Sequence, residues 1–150
     1  MEPINPCTAP GGGLRVFKLS HDVITCEEAA KAKGIPLENE LKTLVITTGA
    51  RTYALHLPGD KKASLRKVKQ FLGTEQACLI SPRDLAEMGL SPGTVSPVID
   101  PVWSLSHLVS ARILDLPYVS TNGGTRREYF KFDPKILLNA REVAVGEFEA

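Results

Sequence analysis

Two adjacent strand-forming segments constrain the fold of this chain more than any other feature. Residues 41–48 (LKTLVITT) and residues 52–57 (TYALHL) are dense in β-branched and apolar side chains, and only Gly49-Ala50-Arg51 separates them. A connection this short predicts an antiparallel hairpin, whereas parallel strands need a crossover of a dozen or more residues. Because the hairpin precedes any possible crossover, we expect a mixed α+β fold rather than a doubly wound parallel sheet.

Helices are predicted around this hairpin from their capping residues. Thr25-Cys26-Glu27-Glu28 forms a capping box, and Gly34 ends the helix that it starts. Ser64 begins a second helix that Gly73 ends, and Ser81-Pro82 begins a third. Further strands are predicted near residues 14–19, 77–80, 113–116, 118–120 and 127–132, with a last helix starting at Asp133-Pro134.

The ends of the chain and its charge limit the class of protein. Residues 1–13 carry three prolines and a run of three glycines, which predicts a flexible arm before one ordered domain over residues 14–150. The net charge of +1 argues against nucleic-acid binding by bulk charge but permits a local basic patch. Three cysteines without CxxC spacing favour a reducing cytoplasm. No apolar run reaches the length of a membrane span, so no membrane partner is expected.

The familiar catalytic signatures are missing, and no metal or cofactor site is expected, since the three histidines lack metal-ligand spacing. Lys42 nevertheless stands out, because lysine is depleted in strands and costly to bury unpaired. At a strand end it could reach into a cleft and hold a phosphate or a developing oxyanion. A lysine that simply extends to the surface is the alternative.

A second unusual segment is the rigid loop Gly93-Thr94-Val95-Ser96-Pro97, which follows Gly89-Leu90-Ser91-Pro92. The prolines restrict φ, while the glycines let the backbone approach a ligand closely. An irregular connection without function is the alternative.

These segments together resemble the YbaK-like editing domains, a family that includes the editing domain of prolyl-tRNA synthetase. The shared layout is a T-x-E-E-A-A helix, a strand that opens K-T-L, a P-G-D turn, a basic helix and G-x-x-P-G-x-V-S-P. In this chain it comprises residues 25–30, 42–44, 58–60, 64–72 and 89–97. The resemblance covers about residues 20–140.

The resemblance implies a strongly curved, barrel-like mixed sheet flanked by helices, and hydrolysis of the ester in a mischarged tRNA that carries alanine, cysteine, serine or threonine. It assigns to Lys42 a contact with the terminal adenosine or its phosphate, and to residues 93–97 a wall of the aminoacyl pocket. Ser120, Gly123 and Gly124 lie where the family has a pocket turn. The stretch Trp103–His107 matches nothing in the family pattern.

The acceptor end of tRNA is the expected partner, and an aminoacyl-tRNA synthetase is a second one, whereas the oligomeric state stays open. Basic side chains that could contact the RNA cluster on and before the second helix, at Lys61, Lys62, Arg66, Lys67 and Lys69. A solvated helix face is the plain alternative. Two other functions remain open, a non-catalytic module that binds tRNA or a partner, and a hydrolase of a different ester or amide.

Overall fold

The computed structural model describes residues 14–92 and 94–150. The predicted arm over residues 1–13 and the predicted site residue Gly93 therefore lie outside the described residues. The described strands are β1 (Arg15–Lys18), β2 (Leu41–Thr47), β3 (Thr52–Pro58), β4 (Cys78–Leu79), β5 (Ser106–Ser110), β6 (Val119–Asn122), β7 (Glu128–Phe132) and β8 (Val143–Gly146).

The predicted hairpin forms the middle of the larger sheet. β2 and β3 pair antiparallel with Leu44 opposite Leu55, and the order of this sheet is β4-β2-β3-β5-β8. β5 pairs parallel with β3, and β8 pairs parallel with β5. The sheet is thus mixed, and the predicted α+β class is confirmed. β5 and β8 were not predicted from the sequence, because both strands are short and pair only with distant segments.

The barrel-like form that the family resemblance implied is not found, because the described strands form two separate sheets. The smaller sheet has the order β1-β7-β6 and is antiparallel throughout. An isolated parallel bridge between Glu40 and Ser120 connects the start of β2 to β6. The described strands therefore do not close into a barrel, and the junction between the two sheets lies beside β2.

The helices begin and end where their capping residues predict. In α1 (Cys26–Lys33) the amide of Glu28 donates to Thr25 Oγ1 at 3.1 Å, the amide of Thr25 donates to the Glu28 carboxylate, and Gly34 has a left-handed φ of 69°. Ser64 and Ser81 cap α2 (Leu65–Leu72) and α3 (Pro82–Glu87). Each cap satisfies a backbone N–H that the first turn leaves without a partner.

Two predicted elements take a different form. Residues 113–116, predicted as a strand, lie mostly in a 3₁₀ helix over Ala111–Asp115, with Ile113 fully buried. The last helix is a 3₁₀ helix, Pro134–Asn139, which Asp133 caps. A further 3₁₀ helix, Leu37–Asn39, precedes β2. Short apolar runs have no periodicity that distinguishes a strand from a helical turn.

Apolar clusters pack on both faces of the larger sheet. One contains Leu41, Val109, Phe130 and Trp103, and the other contains Leu55 and Phe148. The burial of Trp103 and His107 explains the stretch that the sequence left unassigned, since both side chains lie in the interior. The two packed faces hold β2 rigidly beside the junction of the sheets.

Candidate functional site

A cavity of about 410 Å³ lies against the edge of β2. β4 pairs only with Ile46 and Thr47 of β2. Among the described residues, the earlier part of β2 therefore has no neighbouring strand on the side opposite β3. Residues 41–45 form this wall. The other walls come from one side of α1 along its whole length, the β4–α3 segment, the loop before β5 and the β6–β7 hairpin. The lining residues of these walls include Cys26, Ala29, Lys33, Leu79, Leu85, Pro92, Val95, Asn122, Glu128 and Tyr129.

The open edge directs backbone groups of β2 toward the cavity. The Ile80 amide donates to the Val45 carbonyl at 3.0 Å, which shows that Val45 turns its backbone away from β3. Backbone groups alternate sides along an antiparallel strand, so the N–H and C=O of Thr43 point the same way. The pairing of β2 with β4 does not extend to Thr43, and no other backbone hydrogen bond to the Thr43 N–H or C=O is found among the described residues. The cavity wall thus presents one backbone donor and one backbone acceptor to a ligand.

Lys42, predicted from its position in an apolar strand, lines this cavity. Its side chain is half-buried, and its Nζ donates to the carbonyl of Lys61 at 2.7 Å. A neutral carbonyl is the one acceptor of the Lys42 ammonium group among the described residues. The charge is therefore held at the cavity without a carboxylate partner from that part of the chain.

The predicted loop contributes one of its described residues to the wall. Val95 lines the cavity, and its carbonyl accepts a hydrogen bond from Asn122 Nδ2 at 2.7 Å. Thr94 bonds back to Ser91, while Ser96 and Pro97 are buried and do not belong to the lining. The Ser96 hydroxyl has no hydrogen-bond partner among the described residues.

The predicted pocket turn lies beside the cavity, although other residues form the wall. Ser120 is buried and accepts from Lys33, and the Gly124 amide donates to Asn122 Oδ1 at 2.9 Å. A Cβ on Gly123 would come within 3.3 Å of the Glu128 side chain. Within residues 120–127 the residues that line the cavity are Thr121 and Asn122. Asn122 connects this turn to the Val95 loop.

A buried ion pair that the sequence analysis missed also lines the cavity. Lys33 Nζ lies 2.9 Å from each carboxylate oxygen of Glu40 and 2.9 Å from Ser120 Oγ, and it lies 4.4 Å from the centre of the Tyr129 ring. The two charged side chains are 1% and 5% exposed. Burial lowers the pKa of Lys33 and raises the pKa of Glu40, and their mutual attraction opposes both shifts. Lys33 and Glu40 are seven residues apart, on the two sides of the end of α1, and this spacing does not indicate an ion pair in the sequence.

The comparisons with known proteins bear on this arrangement. A family model described as the aminoacyl-tRNA editing domain matches residues 20–140. The chain belongs to the aminoacyl-tRNA editing domain family. This confirms the resemblance drawn from the sequence motifs. The comparison with curated proteins found no match.

Solved structures resemble the whole editing domain. A structure described as that of a proposed trans-editing enzyme for prolyl-tRNA synthetase superposes with a TM-score of 0.83 at 28% identity, covering 95% of this chain and 90% of the other. The hypothetical protein APE2540 gives a TM-score of 0.85 at 25% identity, with 96% of each chain covered. A structure described as that of a proposed signal-transduction protein from Marinobacter aquaeolei VT8, at 14% identity and a TM-score of 0.71, shares the fold over all of this chain and 31% of its own length.

The thiol in the cavity of this editing domain is not a ready nucleophile. Burial raises the pKa of Cys26 to about 11, and the nearby Glu40 carboxylate contributes to the same shift. A thiol with that pKa is about one part in 10⁴ thiolate at pH 7, and the thiolate is the nucleophilic form. The Cys26 thiol is therefore almost entirely protonated at neutral pH.

The basic residues predicted to contact RNA lie outside the cavity wall of the editing domain. Lys62 and Arg66 are exposed, whereas Lys61, Lys67 and Lys69 are half-buried. Within residues 14–92 and 94–150 none of these five forms an ion pair, and no group of three His, Cys, Asp or Glu side chains could hold a metal ion. Nor is any helix in that part of the chain both long and apolar enough to cross a bilayer.

Proposed function

We propose that this editing domain is a trans-editing deacylase that hydrolyses the aminoacyl ester of mischarged tRNA. The observation that carries the proposal is the open edge of β2, where the backbone N–H of Thr43 faces a cavity lined by Lys42. An N–H held in a rigid strand can donate to the oxygen on which charge develops when water adds to an ester carbonyl.

Lys42 is the proposed catalytic residue. Its ammonium group donates to a neutral carbonyl, and the substrate's terminal adenosine or phosphate can replace that partner. The contact positions the ester beside the edge of β2. Water then adds to the carbonyl carbon, the bond from that carbon to the ribose oxygen breaks, and the ribose oxygen takes the proton that the water gives up.

The ester itself supplies part of the reactivity, because a vicinal ribose hydroxyl lies next to the scissile bond. A rate gain of about 10⁴ requires roughly 5.5 kcal/mol from the barrier. One backbone donor to an oxyanion contributes about 2.7–4 kcal/mol. Orientation of the ester by Lys42 and the cavity walls can supply the remainder.

The cavity also supports a small aminoacyl group as the substrate, with alanine, cysteine, serine and threonine as candidates. Its volume of about 410 Å³ must hold part of the ribose as well as the amino acid. Val95 and Asn122 form the wall that the predicted loop and turn share, and we propose that residues 93–97 with Ser120, Gly123 and Gly124 shape this pocket. One methylene group of a substrate changes its binding free energy by only about 1–3 kcal/mol. A pocket therefore discriminates more sharply by excluding a side chain that is too large.

We further propose that Lys61, Lys62, Arg66, Lys67 and Lys69 bind the acceptor end of tRNA through its phosphates. Their lack of carboxylate partners among the described residues supports this role. An aminoacyl-tRNA synthetase is the proposed protein partner. Since charged tRNA is made and used during translation, the cytoplasm is the proposed compartment.

Turnover of a panel of mischarged tRNAs tests the proposal. We expect release of free amino acid from tRNA that carries alanine, cysteine, serine or threonine, and slow turnover of correctly charged tRNA with a large side chain. Binding of every tRNA without turnover would show a non-catalytic binding module. Turnover of simple esters or amides, with none of any aminoacyl-tRNA, would show a hydrolase of another class.

A further inference from the structure

Two buried histidines beside the cavity have no part in the proposed catalytic step. His56 on β3 and His107 on β5 are 0% and 1% exposed, and their rings stack with centroids 5.0 Å apart. The sequence places them 51 residues apart and gives no sign that they meet. The parallel pairing of β3 with β5 brings them together on one face of the larger sheet.

The histidines belong to a continuous chain of hydrogen bonds that starts at Thr43. Thr43 Oγ1 lies 2.9 Å from His56 Nδ1, and His56 Nε2 lies 2.7 Å from His107 Nδ1. His107 Nε2 lies 3.0 Å from the carbonyl of Trp103. Each ring nitrogen therefore has a partner, and the chain runs from the cavity wall to the protein interior.

The last member of the chain sets the direction of every hydrogen bond in it. The Trp103 carbonyl can only accept, so His107 Nε2 carries a hydrogen. In a neutral ring His107 Nδ1 must then accept, which makes His56 Nε2 the donor and His56 Nδ1 an acceptor. Thr43 must consequently donate its hydroxyl hydrogen to His56. Burial lowers the pKa of both histidines and so keeps the rings neutral.

This direction determines what Thr43 offers to the cavity. Its hydroxyl hydrogen is committed to His56, and the lone pairs on Oγ1 remain without a donor among the described residues. Thr43 lines the cavity beside Lys42. A hydroxyl without this chain could rotate and act as a donor or an acceptor, whereas this one can only accept.

We propose that His56 and His107 are a positioning pair that holds the Thr43 hydroxyl as a hydrogen-bond acceptor for a donor on the substrate. The donor is an N–H or O–H beside the ester, supplied either by the α-ammonium group of the aminoacyl moiety or by a ribose hydroxyl. The inference rests on the proposed function, since it assigns a substrate contact in the same cavity. Thr43 contacts the substrate, and the histidines act through it.

Thr43→Val tests the contact, because valine keeps the shape and the backbone N–H and removes the hydroxyl. We expect kcat/KM for mischarged tRNA to fall about 10- to 100-fold, the value of a hydrogen bond to a charged or polarised group. Thr43→Ser keeps the hydroxyl and should restore most of the activity. Wild-type kcat/KM in folded Thr43→Val would overturn the proposal.

A double-mutant cycle separates a positioning role from a structural one. His56→Leu breaks the chain and should lower kcat/KM in the wild-type background, with no further loss in the Thr43→Val background. A decrease in melting temperature, by contrast, should appear in both the wild-type and the Thr43→Val backgrounds. Additive losses of kcat/KM would overturn the proposal. If His56→Leu does not fold, His56→Gln replaces it, because the glutamine amide can both accept from Thr43 and donate to His107; near-normal kcat/KM is then expected.

Binding of an amide-linked, non-hydrolysable alanyl-adenosine analogue separates this inference from the proposed function, since it requires no turnover. Two further analogues lack either the α-amino group or the ribose 2′-hydroxyl. The wild type should bind the analogue that lacks the true donor about 10-fold or more weakly than the complete analogue. Thr43→Val should abolish this difference, and it should do so for only one of the two analogues. If Thr43→Val changes neither comparison, the acceptor role is wrong even where wild-type deacylation is normal.

Discussion

Lys33 and Lys42 line the same cavity in opposite electrostatic environments. The Lys33 side chain is 1% exposed, and its ammonium group contacts both oxygens of Glu40 as well as Ser120. Lys42 is half-buried and donates to a backbone carbonyl. Both residues carry a cation at the cavity, but the carboxylate of Glu40 neutralises only that of Lys33.

The difference indicates what each lysine contributes. Removing the Lys33 ammonium from Glu40 leaves a buried charge without a partner, so Lys33 is committed to holding α1 against the junction of the sheets. Lys42 can exchange a neutral carbonyl for an anionic partner at small cost. A lysine in a cavity is therefore available to a ligand to the extent that its present partner is neutral and replaceable.

The largest expected effect comes from breaking the Lys33–Glu40 pair on one side. Glu40→Leu leaves the Lys33 charge buried and unpaired, and it should lower the free energy of unfolding by about 3–5 kcal/mol. Denaturant unfolding measures this value. Lys33→Met combined with Glu40→Leu removes both charges and should recover most of the loss. If Glu40→Leu alone lowers the free energy of unfolding by less than about 1 kcal/mol, the ion pair does not stabilise the fold.

Lys42→Ala is expected to lower activity strongly and stability little, in contrast to Glu40→Leu. Deacylation of a mischarged tRNA should fall about 10²- to 10³-fold, because the substrate loses the group that positions its ester. The melting temperature should change little, since a backbone carbonyl needs no charged partner. Turnover and thermal unfolding measured on the same preparation check both statements. Near-normal turnover in the folded variant would remove Lys42 from the mechanism and leave the two lysines functionally alike.

The smallest expected effect belongs to lysines outside the cavity. Replacing Lys67 and Lys69 with alanine should weaken binding of every aminoacyl-tRNA alike and leave the chemical step unchanged. The salt dependence of log K should become shallower by about 0.7–0.9 for each phosphate that the variant no longer neutralises. Binding titrations at several salt concentrations measure the slope. An unchanged slope would show that this helix face is only solvated, and a changed preference among amino acids would place it in the pocket.

The part of the site that was predictable from sequence consists of residues that are unusual for their own element. Lys42 in an apolar strand and Val95 in a proline-bounded loop both line the cavity. Thr94, Ser96, Pro97, Ser120, Gly123 and Gly124 are absent from the lining, although Ser120 and Gly124 bond to lining residues. Their proposed roles stay predictions. Lys33 and Glu40 look ordinary in the sequence, a helix-end lysine and an acidic residue before a strand.

Local structure in this protein follows directly from the amino-acid sequence. The hairpin of β2 and β3 and the caps at Thr25, Ser64 and Ser81 depend on residues within a few positions of one another, where sterics and backbone hydrogen bonding act directly. Family membership followed from the order of such segments along the chain.

The meeting of distant groups, by contrast, depends on the tertiary arrangement. The parallel pairing of β3 with β5 joins His56 to His107, and the junction of the sheets joins Lys33 to Ser120 across 87 positions. The same junction leaves the edge of β2 open and so creates the cavity. These contacts form because the strands and helices pack together when the two apolar clusters are buried. The free energy of this burial is distributed over the whole molecule rather than localised at any single position.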